Sequence, residues 1–275
     1  MKHFVFFVFV LVLITSILSG CATSTAIPTA TSVPASTATA ASESPQGITL
    51  YYEGNAQFEI VSPAGVHIWF DVIDTGQFTA QPTANDILLT THSHTDHYDA
   101  KLAKSFPGQQ LTFQEGEINI LDVKAKSIVS AHNSYDPLVP ADKGTNYIMI
   151  VDVGGLRIAH FGDIGQDALT DEQLQKLGNV DIAITQLDNS YSDMNITNKK
   201  AFNLMDQFKP KLIIPTAHTS QPTITFAVEK WKGYVYTDTG GVKITKADIP
   251  AEQSILFLGP LAFAYQAMFK LPSWK

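Results

Sequence analysis

The chain is short of sulfur and of arginine. Its 275 residues include one cysteine, Cys21, and one arginine, Arg157. A lone cysteine excludes a disulfide framework and a thiolate metal cage. Any metal site must therefore be built from nitrogen and oxygen. With one arginine and a net charge of −8, the chain lacks the basic face of a nucleic-acid binder and the bidentate clamps that suit polyphosphates. Nucleic acid is not an expected partner. The longest apolar run, Phe4 to Leu18, is interrupted only by Thr15 and Ser16 and is short for a membrane-spanning helix. No internal repeat is evident.

That run instead has the form of an export signal. Lys2 precedes it, and Leu18-Ser19-Gly20-Cys21 follows as a lipobox in which small residues lead to the cysteine that takes the lipid. An uncleaved anchor and an ordinary secretory signal are the alternatives. Residues 22–47 are mostly Ala, Thr, Ser and Pro, a composition that buries no core and suits a flexible tether. The expectation is a signal peptide over 1–21, a tether over 22–47 and one domain over 48–275. The protein would be exported and lipid-anchored through Cys21 to the cell-envelope membrane, with its domain outside the cytoplasm.

Within that domain, β-branched and aromatic runs predict strands over Ile48–Tyr52, Phe58–Val61, Val66–Phe70, Asp86–Thr90, Ile118–Val123, Ser127–Ala131, Tyr147–Val153 and Leu156–His160. A short helix is expected over Ala100–Ser105. Thr170-Asp171-Glu172-Gln173 resembles a capping box that opens a helix ending at Gly178. Strands then alternate with helices: Ile182–Leu187, a helix over Thr197–Phe208, Lys211–Pro215 and Ser254–Leu258. Trp231 reads as helix packing, and Phe263–Trp274 as an apolar tail that covers the domain or meets a partner. This order suggests two packed sheets with helices outside.

The densest chemistry lies at His92-Ser93-His94-Thr95-Asp96-His97, directly after an apolar strand. Imidazole and carboxylate suit zinc and similar ions. Extended backbone points His92 and His94 the same way, and a turn would bring Asp96 and His97 to a second ion. Two ions need more ligands. Three candidates follow predicted strands: His132, Asp163 within His160-Phe161-Gly162-Asp163, and His218 within Pro215-Thr216-Ala217-His218.

Together these motifs resemble the series of the metallo-β-lactamase superfamily, from about Ile48 to Leu258. The resemblance implies an α/β fold, a four-layer αββα sandwich with a two-metal site at one edge of its sheets. Tyr98-Asp99 after the cluster, His160-Phe161-Gly162-Asp163, Ser192-Asp193-Met194, Ala201 and Pro215-Thr216-Ala217-His218 are similar to the branch of L-ascorbate-6-phosphate lactonase and related zinc-dependent hydrolases. That branch usually has histidine where this chain has Asn55. By resemblance, His92, His94 and His132 hold one zinc, and Asp96, His97 and His218 the other, with Asp163 bridging. Asp71 supports the histidine loop, with Asp74 as the competing choice. His160 and Asp99 are candidates to anchor ligating imidazoles. Manganese or iron could replace zinc, although iron-containing redox relatives usually carry glutamate at the position of His94.

Two such ions lower the pKa of a shared water to roughly 7, and Asp96 is placed by analogy to steer it and move its proton. The expected activity is hydrolysis of an ester, lactone or phosphodiester. The branch also resembles N-acylphosphatidylethanolamine phospholipase D, so the substrate is a small molecule or a lipid. The alternatives are a non-catalytic metal- or solute-binding surface lipoprotein and a single closed zinc staple. Loops at Gln77–Ala84, Asn133–Lys143 and Asn189–Asn195 are expected to set specificity.

Overall fold

The computed structural model describes residues 47–132, 146–238 and 240–275. Cys21, the expected tether up to Pro45-Gln46 and the loop Asn133–Lys143 lie outside the described residues.

Two sheets form the body. The first contains β1 (Gly47–Gly54), β2 (Gln57–Val61), β3 (His67–Phe70), β4 (Ile87–Thr90), β5 (Gln109–Thr112) and β13 (Val242–Thr245), in the order β13-β1-β2-β3-β4-β5. The second contains β6 (Gly116–Ile120), β7 (Val123–Ser130), β8 (Asn146–Val153), β9 (Leu156–His160), β10 (Ile182–Thr185), β11 (Leu212–Pro215), β12 (Lys232–Tyr236) and β14 (Ser254–Leu258). Its order is β12-β14-β11-β10-β9-β8-β7-β6. The helices are α1 (Ala100–Ser105), α2 (Asp171–Leu177), α3 (Lys200–Phe208), α4 (Gln221–Lys230) and α5 (Gly259–Phe269).

Period-2 alternation builds the layers. Ile68, Phe70, Ile87 and Leu89 face the space between the sheets, where they meet Ile182, Ile184, Leu212, Ile214 and Leu256. Trp69 and Leu88 face the other way and pack with Phe106, Leu102 and Ala103 beside α1. Ala183, Ile213, Ile255 and Phe257 point outward from the second sheet to Leu177, Phe202, Ile224 and Ala262 on the helices. Strands covered on both faces read as unbroken apolar runs rather than alternating ones. The result is the expected αββα sandwich.

Several boundaries differ from expectation. The apolar stretch Ile118–Val123 is not one strand: Leu121 takes φ 48° and a tight turn separates β6 from β7. Asp122 in that turn accepts from Ser62 Oγ at 2.8 Å. The helix expected from Thr197 begins at Lys200, because Asn195 Oδ1 accepts from the N–H groups of Thr197 and Asn198 and holds a turn there. The capping box at Thr170 and Gln173 forms as expected. Trp231 sits just past α4, buried against Phe202. The tail is α5 followed by an extended end whose Trp274 is buried. β5, β12 and β13 fall in segments that the sequence reading left unassigned. Among the described residues no helix is long and apolar enough to cross a membrane.

Candidate metal centre

Strand ends assemble the centre. β9, β10, β11 and β14 are parallel, and β7 runs the same way as β9 because both are antiparallel to β8. Their carboxyl ends share one edge, where open α/β sheets place ligands. His132 follows β7, Asp163 follows β9 and His218 follows β11, while His92 follows β4 of the facing sheet. A turn closed by the His97 N–H donating to the His94 carbonyl (3.0 Å) returns Asp96 and His97 to the same place.

All seven expected ligands are brought together. Three groups have ligand atoms within 4.8 Å of one another: His92, His94 and His132; His92, Asp96 and His97; and His97, Asp163 and His218. Asp163 lies between the histidine groups. Its Oδ1 is 3.3 Å from His97 Nε2 and 3.9 Å from His218 Nε2, and its Oδ2 is 3.6 Å from His132 Nε2. Asp96 Oδ2 is 3.9 Å from His218 Nε2 and 4.0 Å from His97 Nε2.

The donor set fits divalent cations. His92 Nε2, His97 Nε2, His218 Nε2 and Asp163 Oδ1 are buried and form no hydrogen bond of normal geometry among the described residues. Buried polar atoms are seldom left so, because each costs its desolvation. Lone pairs converging from several sides are what a cation neutralises.

The supports behind the ligands fix the rings. Asp71 is fully buried. It accepts from the Thr91 N–H (2.7 Å) and Thr91 Oγ1 (2.8 Å), and its Oδ2 is 2.8 Å from His97 Nδ1. Thr91 Oγ1 also lies 3.0 Å from His92 Nδ1. With the threonine proton given to Asp71, both His92 and His97 donate from Nδ1 and turn Nε2 lone pairs to the centre. This is the carboxylate–histidine arrangement common behind metal ligands. Asp71 takes φ 47°, a left-handed conformation unusual for a non-glycine residue, and three hydrogen bonds to its carboxylate hold it there. Asp74 is not brought in; its exposed carboxylate accepts from the Gly76 N–H. Asp99 is likewise not an imidazole anchor, because it caps α1 through Lys101 N and Leu102 N. His160 anchors no ligand ring directly. Its Nδ1 accepts from the Gly162 N–H (3.0 Å), and its Nε2 lies 3.0 Å from the Ala56 carbonyl. It thereby fixes the turn that presents Asp163.

Four supports escape motif reading. Asn146, at the start of β8, accepts from the Asp163 N–H and donates to the Phe161 carbonyl. Asn189 Nδ2 donates to Asp163 Oδ2 at 2.8 Å. Thr91 links Asp71 to His92. Asn55 donates to the Asp96 carbonyl at 2.7 Å, and its own carbonyl accepts from the Ala217 N–H, joining the two ligand loops. The position of Asn189, just past a predicted strand, was a usable signal. Asn146, the first residue of β8, lies one residue ahead of the predicted strand Tyr147–Val153 and gave none. Glycine is required around Asp163 for close backbone approach. A Cβ at Gly162 would lie 2.5 Å from Thr91 Oγ1, and one at Gly165 would lie 1.7 Å from the His132 carbonyl oxygen.

Charge is balanced tightly. Burial lowers the His97 pKa, but Asp71 on one side and Asp163 on the other outweigh it and raise it to about 10. Burial, with His97 adjacent, takes His92 down to about 3. Burial also lowers His94 and His160. For Asp163, burial favours the neutral acid, yet His132, His97 and His218 hold it well below the usual carboxylate range. Without metal, one proton on His97 stands where cationic charge is called for.

Comparison with known proteins agrees. A family model described as "Beta-lactamase superfamily domain" matches residues 49–217, more than half of the chain. No curated protein matches it in sequence. Among solved structures, a candidate zinc-dependent hydrolase of the metallo-β-lactamase superfamily from Thermotoga maritima is 19% identical with TM-score 0.54, the match covering 78% of this chain and 98% of that one. A candidate metal-dependent hydrolase from Parabacteroides distasonis is 19% identical with TM-score 0.50, covering 67% and 89%. A variant of the β-hydroxylase CmlA, a diiron enzyme of Streptomyces venezuelae, is 11% identical with TM-score 0.51, covering 79% and 53%. The His-x-His-x-Asp-His cluster at the shared strand edge and the match over residues 49–217 place this chain in the β-lactamase superfamily, on the metallo-β-lactamase fold.

Proposed function

We propose that the protein is a hydrolase that uses two divalent ions, zinc foremost, to cleave an ester, lactone or phosphodiester. His92, His94 and His132 would hold one ion and Asp96, His97 and His218 the other, with Asp163 between. The observation that carries this reading is the division of the Asp163 carboxylate, one oxygen toward His97 and His218 and the other toward His132. A closed staple of one ion would need neither the second oxygen nor the second histidine group. Paired divalent ions acidify a water molecule and polarise a substrate oxygen.

The chain's own groups do the rest. Asp96 has a side chain 49% exposed and faces His97 and His218, so its carboxylate can take the proton of the attacking water and return it to the leaving group. Asn55 fixes its backbone. Asp71, Thr91, Asn146 and Asn189 keep rings and carboxylate from turning away. The sequence motifs around Asp163 and Tyr98-Asp99 favour a lactonase-like specificity. The signal and lipobox favour attachment to the envelope membrane through Cys21.

Elemental analysis of purified protein should find two transition ions per chain. A panel of ester, lactone and phosphodiester substrates should be turned over, the activity lost to a chelator and restored by zinc. Absence of bound metal, with no uptake of added zinc, would overturn the reading. Two bound ions with silence across the panel would favour a binding lipoprotein instead.

A further inference from the structure

α5 is unusual for a surface helix. Its sequence, Gly259-Pro260-Leu261-Ala262-Phe263-Ala264-Tyr265-Gln266-Ala267-Met268-Phe269, contains no charged residue. A helix apolar on every side is normally buried in a core or a membrane. One side of α5 is buried: Ala262 is enclosed, and Tyr265 packs edge-on against Phe257 of β14 with ring centroids 4.9 Å apart. The other side is open. Phe263 is 57% and Met268 50% exposed, with Ala264 and Ala267 exposed between them. These positions form one stripe along the helix.

The stripe is placed with respect to the metal centre. β14 runs parallel to β11, so α5 starts at the edge that carries His218. Tyr265 Oη lies 3.4 Å from Thr219 Oγ1, beside that ligand. At its other end, Lys270 caps the helix. It forms no ion pair among the described residues, whereas Lys275 pairs with Asp248. An apolar stripe on a helix without an acidic residue, ending at that lysine, matches the chemistry of an anionic bilayer surface.

The connection to the expected lipid anchor enters at Gly47. That residue is at the far end of β1 from Asn55, which touches the Asp96 loop. An eight-residue strand puts roughly 25 Å between them. The anchor alone therefore leaves the metal edge without a fixed orientation.

We propose that the Phe263–Ala264–Ala267–Met268 stripe lies in the headgroup–acyl boundary of an anionic lipid bilayer and holds the metal edge beside that surface. The proposal extends the attachment reading of Cys21, can be tested apart from it, and is independent of the substrate. The test uses the full lipidated chain in phosphatidylcholine–phosphatidylglycerol vesicles carrying nitroxide quenchers on the acyl chains. With Cys21 blocked by lipid, Ala267→Cys and Leu121→Cys each offer one thiol for an environment-sensitive dye. Leu121 lies on the β6–β7 turn, at the opposite side of the second sheet.

The dye at 267 should lose fluorescence to the quencher and the dye at 121 should not. Phe263→Asp with Met268→Asp, added to Ala267→Cys, should abolish that loss while leaving metal content and melting temperature unchanged. Equal quenching at the two sites would overturn the proposal. So would shielding of the 267 dye without vesicles together with a doubled mass in sedimentation, which assigns the stripe to a second copy of the chain. Mass spectrometry of Cys21 separates the two readings. An unmodified Cys21 sinks the attachment, and quenching at 267 on added vesicles then still upholds the stripe.

Discussion

Asp71→Asn isolates the support behind the ligands. The wild-type carboxylate faces three donors: Thr91 N–H and Oγ1, and His97 Nδ1. The amide keeps one oxygen and turns an NH₂ group toward at least one of those donors. Thr91 Oγ1 can rotate its proton away. His97 can relieve the clash only by moving its proton to Nε2, the atom that should bind metal. Loss of such an outer partner typically costs 10–100-fold in metal affinity, about 1.4–2.7 kcal/mol. The loss should fall mainly on the ion at His97, Asp163 and His218. In the metal-free protein Asp71 and His97 form a buried ion pair, and removing one partner of such a pair costs about 3–5 kcal/mol. For a domain of this size that is a fall of about 6–20 °C in melting temperature. Competition with a chromophoric chelator reads the first quantity, and calorimetry of the chelator-stripped protein reads the second. Asp74→Asn, on an exposed carboxylate, is the control and should change neither. Unchanged affinity for both ions in Asp71→Asn would refute the assignment of Asp71 as the anchor of His97.

Three further outcomes are expected. His94→Ala should abolish turnover and lower metal content with little change in melting, because the ring is exposed; retained activity would count against the two-ion scheme. Asn189→Ala leaves Asp163 Oδ2 and Gln186 Oε1 without their donor; it should cost about 1–3 kcal/mol in chemical denaturation and slow turnover about 10–100-fold, and a fully active variant would remove Asn189 from the centre. Burial, with Glu59 beside it, raises Glu53 from 4.5 to about 8. Between those values the folded chain keeps a proton that the unfolded chain has released, so stability is greatest on the acid side and declines as pH rises through 8. Glu53→Gln in the metal-loaded protein should flatten that decline in melting temperature, and an unaltered slope would place the titration elsewhere.

The ligands were legible because they obey a rule about position. Each follows an apolar run, and in this topology the runs of β4, β7, β9 and β11 end on one edge. The resemblance of the motifs then distributed them between two ions. The supports were less legible because they obey no common rule. Asn146 opens β8 one residue ahead of the predicted strand, Thr91 is the last unremarkable residue before His92, and Asp99 sits next to the cluster in sequence yet is drawn off by the open N–H groups of α1. Sequence adjacency suggested that Asp99 would help the histidines, but a helix start offered its carboxylate two donors at once. The glycines near Asp163 let Thr91, Asn146 and the His132 carbonyl close in. β5 (Gln109–Thr112) was missed because its pairing with β4, rather than its own residues, makes it a strand, whereas the Tyr, Val, Ile and Thr of β12 and β13 did favour strands and were passed over.

The fold alone does not decide the reaction, since CmlA is a β-hydroxylase on a related architecture. One carboxylate in the His-x-His-x-Asp-His cluster, one more at Asp163 and five imidazoles make a nitrogen-rich set that suits zinc, iron, copper or nickel, while oxygen-only sets favour harder ions. The neutral state of that set is also prepared: burial takes His92 down to about 3 and lowers His94, which favours free lone pairs on both rings. His97 is the exception, and the carboxylates on both sides of it keep a proton in place until a divalent ion arrives. Metal entry at this edge should therefore be an exchange of one proton on His97 for a cation, with Asp71 remaining to hold the other side of the ring.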